Sequence, residues 1–112
     1  MNLSADLLRG YTDSIILARL REGESYGYRI NQAVNAISGG SFEMKEATLY
    51  TAFRRLESAG LIVSRWGDEA TGARRRYYRL TEAGQNRLRE DLAGWEDTKH
   101  LLDLLLKEDD HE

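Results

Sequence analysis

Apolar residues recur at helical intervals from the start of the chain. Leu8, Tyr11, Ile15 and Ala18 follow 3, 4, 3 spacing, and Leu7, Ile16 and Leu20 widen the stripe, which predicts a helix over residues 5–21. Gly23 closes it, where glycine takes up a left-handed cap without strain. Ser25 is placed to N-cap a second helix over residues 26–37, with Tyr26, Ile30, Ala33, Val34 and Ile37 on one side. Residues 38–41 form a loop. Phe42 and Met44 flank the polar Glu43, a short alternation that predicts an extended stub. A third helix follows from Glu46 to Ser58, with Leu49, Ala52, Phe53 and Leu56 as its inner stripe and Gly60 as its stop.

The pattern then changes. Residues 61–66, Leu-Ile-Val-Ser-Arg-Trp, are β-branched and aromatic enough for a strand. Residues 75–80 are its expected partner, across a turn spanning Asp68 to Ala73. Thr81 is well placed to N-cap a last helix, with Glu82 favourable in the first turn. No proline interrupts it before Leu106, so it would be roughly 39 Å long. Leu88, Leu92 and Trp95 form one stripe on it, continued by Leu102 and by Leu105 or Leu106. A long helix with an apolar stripe needs a partner, and these leucines are the candidate dimerisation residues. The tail from Lys107 to Glu112 is acidic and expected to fray. The elements define a mostly α fold with a small β-wing: a winged helix-turn-helix over residues 1–80, then a C-terminal dimerisation helix and acidic tail over residues 81–112.

Charge sharpens this picture. The net charge of −3 argues against a nucleic-acid partner, but its distribution reverses the argument. Residues 1–44 hold four arginines and five acids, residues 45–79 eight basic residues and four acids, and residues 80–112 four basic residues and ten acids. The basic excess therefore sits in the third helix and hairpin, where it matters to DNA more than the total does. A solvated basic face would have the same composition. Cysteine is absent, which excludes disulfides and thiolate metal sites. His100 and His111 are too few to make a metal or catalytic site, and no spacing assembles Ser64 or the carboxylates into one. The expectation is a chain with no catalytic residues, no metal and no cofactor. No apolar run approaches the roughly 20 residues of a membrane span, and the N-terminus lacks a secretion signal. The expected location is the cytoplasm.

A helix with a polar front and buried back, followed by a basic hairpin, suits a duplex. The helix enters a major groove and the arginines reach flanking phosphates. Lys45, Glu46, Thr48, Tyr50, Thr51 and Arg54 supply the front. In a strand alternate side chains face opposite ways, so Arg74 and Arg76 share a face and Arg75 takes the other, where its stem can cover the sheet. Gly72 would let the turn approach a DNA backbone. Trp95 has two readings. It is packing at a dimer interface, or, across a two-fold axis, a platform on which a flat aromatic molecule stacks. Gly94 beside it would let two backbones approach.

These residues resemble the PadR family of bacterial transcriptional regulators over residues 7–95. The marks are Leu8-Arg9-Gly10, Ser25-Tyr26-Gly27-Tyr28, Ala47-Thr48-Leu49-Tyr50 with Arg54-Arg55-Leu56-Glu57, Gly60-Leu61-Ile62, and Arg75-Arg76-Tyr77-Tyr78-Arg79-Leu80-Thr81-Glu82-Ala83-Gly84. Thr51 departs from the pattern, since many members have proline there. With one long helix after the wing, the chain is similar to the short PadR-like group. The resemblance implies a homodimer joined through the first and last helices, a pseudo-palindromic double-stranded operator, and repression relieved by a small molecule. In several short members flat aromatic or cationic compounds bind between the two last helices, against a tryptophan in the position of Trp95, and such members often control efflux genes. It adds Tyr26 to the DNA-binding candidates. It gives Trp95, Leu92, Leu8, Tyr11, Ile15 and Lys99 as effector-binding candidates. Glu96 and Asp97 make the surroundings acidic and favour a cationic ligand. The competing readings are a winged-helix regulator without a small-molecule ligand, and a protein-interaction module on the same fold.

Overall fold

In a computed structural model, residues 8–68 and 74–107 are described. The elements run α1 (Thr12–Leu20), α2 (Gly27–Ile37), α3 (Glu46–Ser58), β1 (Ile62–Trp66), β2 (Arg76–Leu80) and α4 (Glu82–Leu106). This is the mostly helical winged-helix architecture expected from the sequence, with an antiparallel hairpin pairing Ile62 with Leu80 and Trp66 with Arg76.

The first helix is shorter than predicted. Residues 8 and 9 are helical, the chain turns at Gly10 and Tyr11, and α1 starts at Thr12. Gly10 is a weak helix former, and the Thr12 hydroxyl donates to the Arg9 carbonyl at 3.0 Å, a local bond that competes with the helical ladder. Residues 5–7 lie outside the described part. The faces of α1 also differ from the prediction. Ile16, Leu17 and Leu20 enter the core, whereas Leu8, Tyr11, Ile15 and Ala18 are only half-buried. The helix therefore has two apolar faces, one for the core and one for the groove described below.

Ser25 does not cap α2. Tyr26 occupies the N-cap without a side-chain cap bond, and Ser25 exchanges two backbone hydrogen bonds with Tyr78, at 3.0 and 2.8 Å. The chain entering α2 thus adds a one-residue bridge to the wing, so tertiary pairing takes precedence over local capping. Residues 42–44 are not a strand either. The Asn31 side chain donates to the Met44 carbonyl at 2.6 Å and accepts from its N–H at 2.8 Å. Ser38 Oγ accepts from the Phe42 N–H at 3.0 Å. Side chains of α2 and its C-cap thereby satisfy backbone groups that a strand partner would otherwise take, and Met44 is drawn into the core.

The core gathers Ile16, Leu17 and Leu20 from α1, Ile30 and Val34 from α2, the inner stripe of α3, and Ile62, Tyr78, Leu80 and Leu88. Tyr78 stacks on Phe53 with ring centroids 3.9 Å apart, which fastens the base of the wing to α3. Burial there raises the Tyr78 hydroxyl pKa. Thr81 caps α4 as expected, accepting from the Gly84 N–H at 3.0 Å and donating to the Gly60 carbonyl at 2.7 Å. Gly84 lies so close to the strand below it that a Cβ would overlap the Leu61 carbonyl oxygen. The first turns of α4 are therefore part of the winged-helix core. Leu88, expected at a dimer contact, is 5% exposed within this core. That expectation is corrected: the residue is consumed by the chain's own packing. Beyond it, Leu92, Trp95, Leu101, Leu102, Leu104, Leu105 and Leu106 are all exposed.

Candidate nucleic-acid interface

Four residues of α3 face inward, so Glu46, Ala47, Thr48, Tyr50, Thr51, Arg54 and Arg55 stand on the exposed surface, with Lys45 exposed just before them. Arg54 donates to Thr51 Oγ1 at 3.3 Å, holding both along the outer face. Arg55 is turned toward α1, where Nε donates to Asp13 Oδ2 at 3.2 Å and a second prong joins Nη2 to Oδ1. That hydrogen bonding raises the Arg55 pKa, so the residue stays charged. Tyr50 lies on the opposite flank. Its ring meets Phe53 edge-on at 5.7 Å, and a Cβ at Gly27 would stand 3.0 Å from its hydroxyl. The start of α2 can approach α3 this closely because it is a glycine.

On the wing, the alternation expected for Arg74, Arg75 and Arg76 is present. Arg74 and Arg76 lie over the Trp66 ring at 5.4 and 5.1 Å, while Arg75 lies over Tyr26 at 4.2 Å. Arg76 is also tied to the base of the wing, donating to Ser64 Oγ at 3.0 Å and pairing with Glu57 at 3.7 Å. Arg29 lies over the Tyr26 ring as well, at 4.7 Å, and Tyr77 meets it edge-on at 5.5 Å. Below them Arg65 grips Glu24 with two bonds of 2.8 and 2.7 Å. The bond from Arg65 holds the Glu24 carboxyl below its usual range. Tyr26, Tyr50, Trp66 and the three wing arginines thus border one open cleft of about 320 Å³ between α2, α3 and the wing. The tip of the hairpin, including Gly72 and most of the predicted turn, lies outside the described residues.

Sequence reasoning missed Arg29 and Trp66 here. Arg29 follows Tyr26, the N-cap of α2, by three positions, and the first turn of the helix brings its guanidinium over the ring. Trp66 reads from the sequence only as a strand residue, and its position opposite Arg76 follows from the register.

A second surface lies behind the interface. Leu8, Tyr11 and Ile15 from the α1 side meet Leu92, Trp95 and Leu102 from α4 around an open apolar groove of about 410 Å³. Trp95 is 41% exposed and meets Tyr11 edge-on at 5.6 Å. Lys99 is not part of the groove wall. Its ammonium stands 6.0 Å from the centre of the Trp95 ring and 3.2 Å from Glu96. The structure adds Ser14 and Asp91 to the wall. Ser14 donates to Asp91 at 2.7 Å and Arg87 donates to it at 3.1 Å. No periodicity marks Asp91, because it is a polar residue inside an apolar stripe. Among the described residues no group of three metal-ligating side chains converges, and no helix is long and apolar enough to cross a membrane.

A winged helix whose exposed third helix is flanked by arginines on an aromatic base defines a regulator class of fold. Residues 16–90 match the transcriptional regulator PadR-like family, and the chain belongs to that family. A transcriptional regulator from Clostridium thermocellum is 42% identical, with a TM-score of 0.83 over 90% of this chain and 95% of that one. A PadR family transcription regulator from Clostridium difficile is 35% identical, with a TM-score of 0.74 over 86% of this chain and 98% of that one. Bacillus subtilis PadR, solved in complex with operator DNA, is 29% identical, with a TM-score of 0.65 over 71% of this chain and 46% of that one.

Proposed function

We propose that the protein is a sequence-specific DNA-binding repressor that acts as a homodimer and is released from its operator by a flat aromatic or cationic effector. The observation that carries the DNA reading is the placement of α3. Its outer face is polar and exposed, and the cleft beside it is bordered by Arg74, Arg75 and Arg76. The structure of Bacillus subtilis PadR with operator DNA supports the same use of the fold. In this reading Thr48, Tyr50, Thr51 and Arg54 meet base edges, while the wing, Tyr26 and Lys45 meet the backbone. Phosphate contacts provide most of the affinity and base contacts the choice of sequence. Changing Arg74, Arg75 and Arg76 together to alanine is expected to weaken binding to every duplex. It should also flatten the dependence of log K on log salt by about 0.9 for each phosphate that is no longer neutralised. Fluorescence anisotropy against salt concentration measures this, and unchanged affinity and slope would overturn the wing's role. Tyr50→Phe and Thr48→Val are the complementary changes, expected to alter preference between duplexes.

The dimer reading is supported by the run of exposed leucines on α4, and the effector reading by the groove beside Trp95. A second protomer placed against α4 covers this groove and encloses a ligand between two indoles. Aromatic stacking contributes roughly 0.5–1.5 kcal/mol per pair beyond area burial, and a cationic ligand is further attracted by the face of an indole ring. The ligand shifts the separation of the two α3 helices only if it binds one separation better than another. Titrating a flat cationic dye is expected to quench tryptophan emission. Trp95→Ala should abolish the quench although Trp66 remains on the wing. A quench that survives this change would place the dye elsewhere.

A further inference from the structure

The cleft between α3 and the wing has a counterpart on the opposite flank of α3. Thr48, Thr51 and Arg55 succeed one another at intervals of three and four, so they share a flank. With Arg9, Thr12 and Ala47 they line an open cleft of about 400 Å³ between α3 and the entry to α1. Two of these six side chains are guanidiniums and none is a carboxylate. Asp13 outside the lining holds Arg55 in place. Arg9 is exposed at the mouth.

A helix with its side chains is about 10–12 Å across, and the major groove is about 12 Å wide. A seated helix therefore meets a sugar–phosphate wall on both flanks. The wing serves one wall. We propose that the Arg9 cleft binds a backbone phosphate of the opposite wall, with Arg9 as its charged anchor, while the Thr48 and Thr51 side chains at its inner edge remain turned to the bases. This rests on the DNA-binding reading above and adds to it a second clamp, so that α3 is gripped from both sides. A guanidinium suits a phosphodiester because its N–H groups match two oxygens at once.

The test compares the full-length protein with Arg9→Ala, Arg9→Lys and Arg21→Ala, using a fluorescein-labelled mixed-sequence duplex and anisotropy across a salt series. Arg21 is exposed at the end of α1 and lines neither cleft, so it controls for the loss of one positive charge. Arg9→Ala should lower the salt slope by about 0.9 for each protomer engaged. Arg9→Lys should retain most of the slope, and Arg21→Ala should match wild type. Unchanged thermal melting of the three variants establishes that folding is not the cause. If Arg9→Ala keeps the wild-type slope while the triple wing substitution loses it, the second clamp is wrong and the DNA reading stands. If Arg9→Ala and Arg21→Ala fall equally, the effect is general charge and the cleft is likewise refuted. A wild-type protein that binds no duplex at low salt removes both readings.

Discussion

Replacing Gly84 with alanine is expected to lower the melting temperature by roughly 10–20 °C, the shift that corresponds to about 3 kcal/mol in a domain near this size. The added methyl would overlap the Leu61 carbonyl oxygen and crowd Leu80. Neither neighbour yields easily. Leu61 accepts through that same oxygen from the Thr81 N–H at 3.1 Å, and Leu80 is buried at the end of β2. The first turn of α4 would have to lift from the sheet, breaking the Thr81 cap and exposing Leu88. Gly10→Ala is the internal comparison. Nothing stands within 4 Å of a Cβ there, so its melting temperature should stay within a few degrees of wild type. Equal melting of the two variants, measured by circular dichroism, would contradict the close approach of α4 to the strand.

The second large effect concerns assembly. Leu92 and Leu102 are 41% and 43% exposed on the half of α4 that leaves the core. Burying one leucine contributes roughly 1.5–3 kcal/mol, and a two-fold pair buries each position twice. Only about two-fifths of each side chain remains to be covered, so Leu92→Glu with Leu102→Glu should remove roughly 2.5–5 kcal/mol of association free energy, equivalent to at least a roughly 50-fold weaker dimer by about 1.4 kcal/mol per decade. Sedimentation at micromolar concentration should show a wild-type dimer and a variant monomer of unchanged helix content. A wild-type monomer would refute the dimer, and a variant that stays dimeric would place the contact elsewhere. Leu88→Glu is a different experiment. That residue is buried in the chain's own core, so the change should unfold the protein instead of separating protomers.

The sequence carried the order of elements and the outer face of α3 with little loss, because an amphipathic helix declares its inner residues by spacing. Glu46–Ser58 and Glu82–Leu106 have the bounds that spacing and capping indicated. The misplacements share a physical origin in contacts made across the chain. Ser25 reads as a cap until Tyr78 takes its backbone. Phe42 to Met44 reads as a strand until Asn31 supplies the missing hydrogen bonds. Leu88 and Leu92 are indistinguishable on a stripe, and only the distance from the sheet decides which is core. The same holds at the interface. Arg74, Arg75 and Arg76 were visible as a basic run, whereas Arg29, brought over Tyr26 by the start of α2, was a lone charge on a helix.

Asp13 and Ser14 are neighbours on α1, yet they fasten it in two directions. Asp13 holds Arg55 on α3, and Ser14 holds Asp91 on α4. Each helix is also sewn into the common core. Through α1 the outer face of α3 and the groove wall at Asp91 are thus joined by side-chain bonds. In the proposed dimer the joint to consider is the contact between the two long helices. A small change of angle there acts over the length of each protomer, as a hinge acts on a pair of calipers, and opens or closes the gap between the tips. Operators with half-sites one helical turn apart, about 34–36 Å, measure that gap directly, and duplexes whose half-sites are shifted by single base pairs would serve as its ruler.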